Sequence, residues 1–156
     1  MYSYVLKEKL CEELTAHLQH TATKNANVYI DDIPASKFKG QELNVFPFVV
    51  IEVTEGKIPI KSNSDVSNTR TVLMNLGVDT SKENNPDVET LASNIIDYIL
   101  RKQIIGDMFV LSGESIDVAY GKLENEGLSP FKYGAITMQF DMPPVQNTNE
   151  IQNLMT

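Results

Sequence analysis

Few residues in this chain combine the types and spacing that chemistry requires. Glu13, His17 and His20 fall four and three apart, which can place three metal ligands on one helical face. His17 lies beside a leucine stripe, however, and no fourth ligand is near in sequence, so both histidines read as partly exposed helix residues. Asp31 and Asp32 form a carboxylate pair of the kind that binds metal or does acid–base work. Standing directly before "IP", the pair reads as turn chemistry. "GESID" at 113–117 has the outline of a nucleophile elbow, but Asp117 takes the place of its second glycine. A catalytic Ser115 would also need a positioned histidine, and both histidines lie far N-terminal. "GKLENEG" at 121–127 has Leu123 where a P-loop places the Ser or Thr that holds magnesium. The single cysteine, Cys11, reads as a small packed hydrophobe. No set of residues supplies nucleophile, base and orienter together, so neither enzyme activity nor a cofactor is expected.

The elements that must position these residues are easier to read. Leu6, Leu10, Leu14 and Leu18 recur every four residues and predict an amphipathic helix over 3–20, with Glu8, Glu12 and Glu13 mostly on its other side. "NVYIDDIP" reads as a short strand closed by Pro34. From Phe48 to Val53 apolar residues fall on both parities, interrupted by Glu52, which predicts a strand buried on both faces. Pro47 belongs at its start because it cannot donate to a ladder. The stretch 57–68 reads as a long hairpin loop that carries Ile58 and Ile60 around Pro59. "TRTVLMNLGVDT" is a half-buried strand, with Val72, Met74, Leu76 and Val78 on one face.

"NPDVETLASNIIDYILRK" predicts the second helix, with Asn85 as its cap and Pro86 at the first helical position. Asp87 and Glu89 suit its positive end, and Arg101 and Lys102 suit the other. Val88, Leu91, Ile95, Tyr98 and Ile99 form its buried stripe, and Gly106 marks the exit. "MFVLSGESIDVAYG" reads as a strand broken between Ser112 and Gly113. "YGAITMQFDMP" alternates Ile136, Met138, Phe140 and Met142 against polar or small neighbours until Pro143 and Pro144 stop it. Adjacent strands without intervening helices argue antiparallel pairing. The expected fold is α+β: a single mostly antiparallel (mixed) sheet of about five strands with two main helices packed on it. Residues 1–144 are expected to form one domain, and 145–156 a polar tail.

Composition narrows the function classes. The 156 residues are 42% hydrophobic and 22% charged, which fits one globular domain. The net charge of -8 and pI near 4.7 argue against a protein that grips nucleic acid through clustered Lys and Arg. A lone cysteine forms no internal disulfide. The opening residues lack the apolar core of a signal peptide, and the run 45–51 is far short of the ~20 residues that span a bilayer. The chain is therefore expected to be soluble, with no membrane contact.

Three stretches carry a resemblance. "FPFVVIEVTEGK" at 46–57 is a strand running into a long variable hairpin. "TVLMNLGVDTSKENNPDVETLASNIIDYILRKQII" at 71–105 is a strand, a short Asn/Pro loop and a helix ending near an Ile pair. "SPFKYGAITMQFDMPP" at 129–144 is a closing strand that ends in proline. In this order and spacing the chain resembles the tail terminator (tail-completion) proteins of long-tailed phages, over about residues 2–144. That family often carries a tryptophan or another aromatic on the approach to the closing strand; this chain has no Trp, and Phe131 and Tyr133 stand there.

The resemblance implies a structural subunit that assembles as a homo-oligomeric ring, usually a hexamer. The ring caps the tail tube, stops polymerisation of the tube protein and joins the tail to the head-completion or connector protein. DNA passes through the lumen without specific binding, and an acidic ring suits that passage because it repels phosphate. The implied location is the tail–neck junction of the virion, after assembly in the host bacterial cytoplasm. The expected subunit contacts are the 55–68 hairpin loop and the sheet edges, with Glu55, Lys57, Ile58, Ile60, Lys61 and Arg70 as the interface residues. The tail 145–156 is expected to order on assembly. The alternatives are another head–tail connector or tail-assembly subunit, a cellular adaptor that forms no ring, and a small metal-dependent enzyme using Asp31, Asp32 and the helix histidines.

Overall fold

A computed structural model describes residues 2–34, 45–57, 68–81, 86–121 and 130–143. The elements in chain order are α1 (Tyr2–Leu18), β1 (Asn27–Ile30), β2 (Phe48–Lys57), β3 (Thr69–Asp79), α2 (Val88–Lys102), β4 (Ile104–Ile105), β5 (Phe109–Tyr120) and β6 (Phe131–Asp141). The strands form one six-stranded sheet in the order β1-β2-β3-β6-β5-β4. Every pairing is antiparallel except β1 with β2. The fold is α+β, one mixed and mostly antiparallel sheet with two helices.

The two departures from the sequence reading have simple causes. β1 runs parallel to β2, not antiparallel, because the stretch 31–47 between them is long enough for a crossover. β4 is a sixth strand of two residues, too short to leave a period in the sequence. It forms where Gln103 takes a left-handed conformation (φ 59°) and ends α2. Gly106 and Asp107, both at φ 60°, then turn the chain into β5.

The core lies between the helices and one face of the sheet. Leu6, Leu10, Leu14 and Leu18 of α1 are buried there, as are Val88, Leu91, Ala92, Ile95 and Ile99 of α2. The sheet contributes Val49 and Ile51, then Val72, Met74, Leu76 and Val78, then Ile136, Met138 and Phe140. Each large aliphatic side chain so buried stabilises the fold by about 1.5–3 kcal/mol. The opposite face of β2 is covered too: Phe48 and Val50 pack with Val45, Tyr29, Ile33 and Phe46. That is the two-sided burial its sequence predicts. Phe46 stacks on Phe131 at 4.9 Å between ring centroids. The Phe46-Pro47 peptide is cis, and the Pro47 carbonyl accepts the Asn27 N–H at 2.9 Å. The Phe48 ring packs against Gly77, where a methyl group would stand 2.2 Å from it.

The α2 cap also differs from expectation. Asp87 is the cap, and its side chain accepts the Thr90 N–H at 2.7 Å. Asn85 lies outside the described residues. Asp87 already has the extended backbone a cap requires, and Pro86 stands one position before it instead of inside the helix.

Candidate functional site

The β2–β3 hairpin begins as a regular ladder from Phe48↔Gly77 to Val53↔Val72. A register shift between Val53 and Glu55 follows, and the ladder resumes as Glu55↔Thr71, Gly56↔Arg70 and Lys57↔Thr69. Glu55 and Lys57 are thus placed in the backbone of β2 at the outer end of the hairpin. Their side chains, together with Ile58, Ile60 and Lys61, lie outside the described residues, as does the tail 145–156.

Arg70 is described, and it faces inward. Its guanidinium crosses Gly56, where a methyl group would come within 3.0 Å of Cδ. Nε donates to Ser3 Oγ at 2.9 Å, and Nη1 donates to the Thr69 carbonyl at 2.9 Å and to Asn68 Oδ1. The side chain fastens the hairpin to the first turn of α1.

The sheet leaves two unlike edges. β1 covers β2 only from Phe48 to Ile51, so along 52–57 no described strand flanks the outer side of β2. At the other side of the sheet, β4 covers β5 only at Phe109 and Val110. Residues 113–116 then stand opposite Met138 alone, a bulge at the break the sequence predicts, and 117–120 pair again with β6. The outer side of 117–120 has no described strand beside it. Val118 and Tyr120 are exposed there, as is Leu100 on α2.

The residues singled out for chemistry are held in structural roles. Glu13 Oε1 accepts the Tyr98 hydroxyl proton, and Oε2 accepts the Gly106 N–H at 2.6 Å. His17 lies against the Tyr98 ring at 4.7 Å. Burial, then the hydrogen bond to Glu13 and its charge, push the Tyr98 hydroxyl up to about 12. Glu13 therefore clamps α1 to α2 and to the β4–β5 turn. Sequence reasoning placed Tyr98 in the apolar stripe of α2; no local signal reveals that its hydroxyl meets a carboxylate from another helix.

Asp31, at φ 67°, pairs with Lys7 at 2.7 Å, and Asp32 Oδ1 accepts the Ile33 N–H at 2.8 Å. This is the turn chemistry expected of the pair. Ser115 Oγ donates to Asp117 Oδ1 at 3.0 Å within the β5 bulge. Both histidines lie on α1 and the turn after it. Gly121 follows β5, and 122–127 lie outside the described residues. Cys11 is half-buried against the Val28 carbonyl at 3.6 Å, and burial raises its thiol pKa. Among the described residues no group of three or more His, Cys, Asp or Glu could hold a metal ion, and no helix is long and apolar enough to cross a membrane.

Compared with models of known protein families the chain matches none, and no curated protein matches it.

Proposed function

We propose that this chain is the subunit of a ring that caps a phage tail tube, stops growth of the tube and offers the surface that joins tail to head. The reading rests on the resemblance of three sequence stretches to tail terminators. One structural observation supports it above others. The strand "FPFVVIEVTEGK" and the strand after the long loop pair along most of their length as a hairpin, within a sheet whose two outer sides, along 52–57 and 117–120, have no described strand beside them. A head-to-tail ring needs two different surfaces on each subunit, related by a rotation that closes. The charge of -8 supports a lumen through which DNA slides without sticking.

Glu55, Lys57, Ile58, Ile60 and Lys61 are the hairpin residues we assign to the subunit interface. Arg70 supports them from below through its bonds to Ser3, Asn68 and Thr69. A neck connector subunit is the nearest alternative, and binding to the tube end separates the two.

The experiment is native mass by light scattering on a sizing column, over a wide concentration range. The expected species is near six times 17.5 kDa. A strict monomer at the highest soluble concentration removes a self-closing ring from the reading.

A further inference from the structure

The sheet is open on both sides. β1 is its terminal strand on one side, and residues 117–120 of β5 have no described strand beside them on the other. The bonds each strand makes inward fix the groups it turns outward. Asn27 and Asp31 donate to the Pro47 and Ile51 carbonyls, both at 2.9 Å. In this parallel ladder the alternate residues, Val28 and Ile30, therefore turn their N–H and C=O groups outward. The Val28 carbonyl meets the Cys11 thiol at 3.6 Å and the Ile30 carbonyl accepts the Asp32 N–H at 2.8 Å, which leaves each a second lone pair. Gly121 donates to the Tyr133 carbonyl at 3.1 Å. In the antiparallel ladder with β6, Asp117 and Ala119 therefore bond inward, and Val118 and Tyr120 turn their backbone groups outward.

The two edges match in face and differ in charge. Directly paired residues share a face. Val28 and Ile30 stand with Val49 and Ile51, and Val118 stands with Ile136, so all lie on the face the helices cover. Val118 and Tyr120 are 38% and 42% exposed there. A groove of about 480 Å³ lies between α1 and β1, beside Thr15, Gln19 and Val28, and Lys24 is the one charged residue lining it. The Tyr120 end of β5 is acidic. Burial, then the Glu89 and Asp87 carboxylates, hold the Tyr120 hydroxyl above its ordinary value.

We infer that β1 of one copy pairs antiparallel with residues 117–120 of a second copy, so that the sheet continues from subunit to subunit. With Val28 opposite Tyr120 and Ile30 opposite Val118, the four outward residues meet as hydrogen-bonded pairs, and their side chains share the helix-covered face. Tyr120 enters the groove beside Val28 and brings Asp87 and Glu89 toward Lys24. The new ladder ends at Asp31, where a φ of 67° turns the chain aside and Lys7 holds the carboxylate at 2.7 Å. Asp117 therefore meets no free carboxylate there. From β1 to β5 the sheet makes one parallel and three antiparallel pairings, so β5 runs opposite to β1. A rotation about an axis along the strands keeps that relation between copies. Within one copy the two edges stand four strand spacings apart, about 19 Å, and do not meet. Two β5 edges placed together would bring like charges together. The contact thus joins unlike edges, as a head-to-tail ring requires. The inference rests on the ring reading and names the edges that close the ring.

The test uses two variants of the full chain, each checked by thermal melting to be folded. Val28→Pro removes an outward N–H and leaves the bonds to β2 in place. Val118→Asp puts a charge into the other edge. By light scattering wild type should form a multi-subunit species, and each variant alone should be a monomer. An equal mixture should give a dimer and nothing larger, because one intact β1 meets one intact β5. Lys24→Glu should move assembly to higher concentration, and adding Glu89→Lys should move it back; this pair decides the matter if Val28→Pro does not fold. A variant that associates by itself as wild type does, a mixture that stays monomeric, or a Lys24→Glu chain that assembles unchanged overturns the inference and leaves the ring reading standing. A wild-type monomer overturns both. A multi-subunit wild type that fails to arrest tail-tube growth overturns the cap reading alone.

Discussion

The helix junction and the open strand edges solve opposite problems. At the junction a carboxylate from α1 is taken into the fold, and both its oxygens have donors, Tyr98 and the Gly106 amide. At the outer sides of β2 and β5 the backbone groups of 52–57 and 117–120 face no described strand, and apolar side chains stand exposed beside one of them. A buried polar group left without a partner costs stability, so a satisfied junction holds the fold together. An unpaired edge is a template for another strand, so chains either blunt it or use it. Glu13 and His17, two of the residues that look most like chemistry, lie in the first region. The second region carries the exposed Val118 and Tyr120 and the strand sides that face no described strand.

Substitutions in the two regions should therefore separate stability from assembly. The largest loss is expected from Leu14→Ala, which empties a fully buried position beside the clamp; chemical denaturation should show about 2–5 kcal/mol. Next is Gly77→Ala, which drives a methyl group into the Phe48 ring and should cost about 1–3 kcal/mol in the same measurement. Glu13→Ala leaves the Tyr98 hydroxyl and the Gly106 amide without their acceptor, and about 1–3 kcal/mol should be lost.

The clamp also has a pH signature. The folded Tyr98 hydroxyl titrates at about 12, above its usual value of 10, so the folded state holds that proton more tightly. Its contribution is complete below pH 10 and lost as pH rises toward 12. Stability measured across that window should fall less steeply in Tyr98→Phe than in wild type. The smallest effect on folding belongs to Val118→Asp, at an exposed edge position, which should move stability by no more than about 0.5 kcal/mol. A Val118→Asp chain that unfolds, or a Glu13→Ala chain of unchanged stability, would break the comparison.

Much of this architecture is legible in the residues. The Leu6 to Leu18 stripe, the two-faced apolar run of β2 and the alternation of β6 each carry the period of their element over several residues, and each is buried as that period predicts. The break in β5 is signalled by Gly113, which takes φ 84° there. What the sequence does not reveal depends on distance along the chain. The parallel β1–β2 pairing joins segments separated by a long connection, and the Glu13–Tyr98 contact joins two helices. β4 is held by two residue pairs, fewer than any periodic signal needs. Arg70 illustrates the same limit. Its charge and its place beside the loop suggest an outward role, but the absent side chain at Gly56 lets the guanidinium fold across the hairpin to Ser3. The edge of β5 is legible only in part, because Val118 and Tyr120 alternate like core residues and only the sheet order leaves them uncovered.

The most direct test of the cap reading is tube growth. Tail-tube protein from the same genome is allowed to polymerise, purified chain is added at a few rings per tube end, and tube length is followed by electron microscopy. The account predicts that lengthening stops and that the added protein is found at tube ends. Tubes that lengthen at an unchanged rate in excess protein, with bare ends, would contradict it.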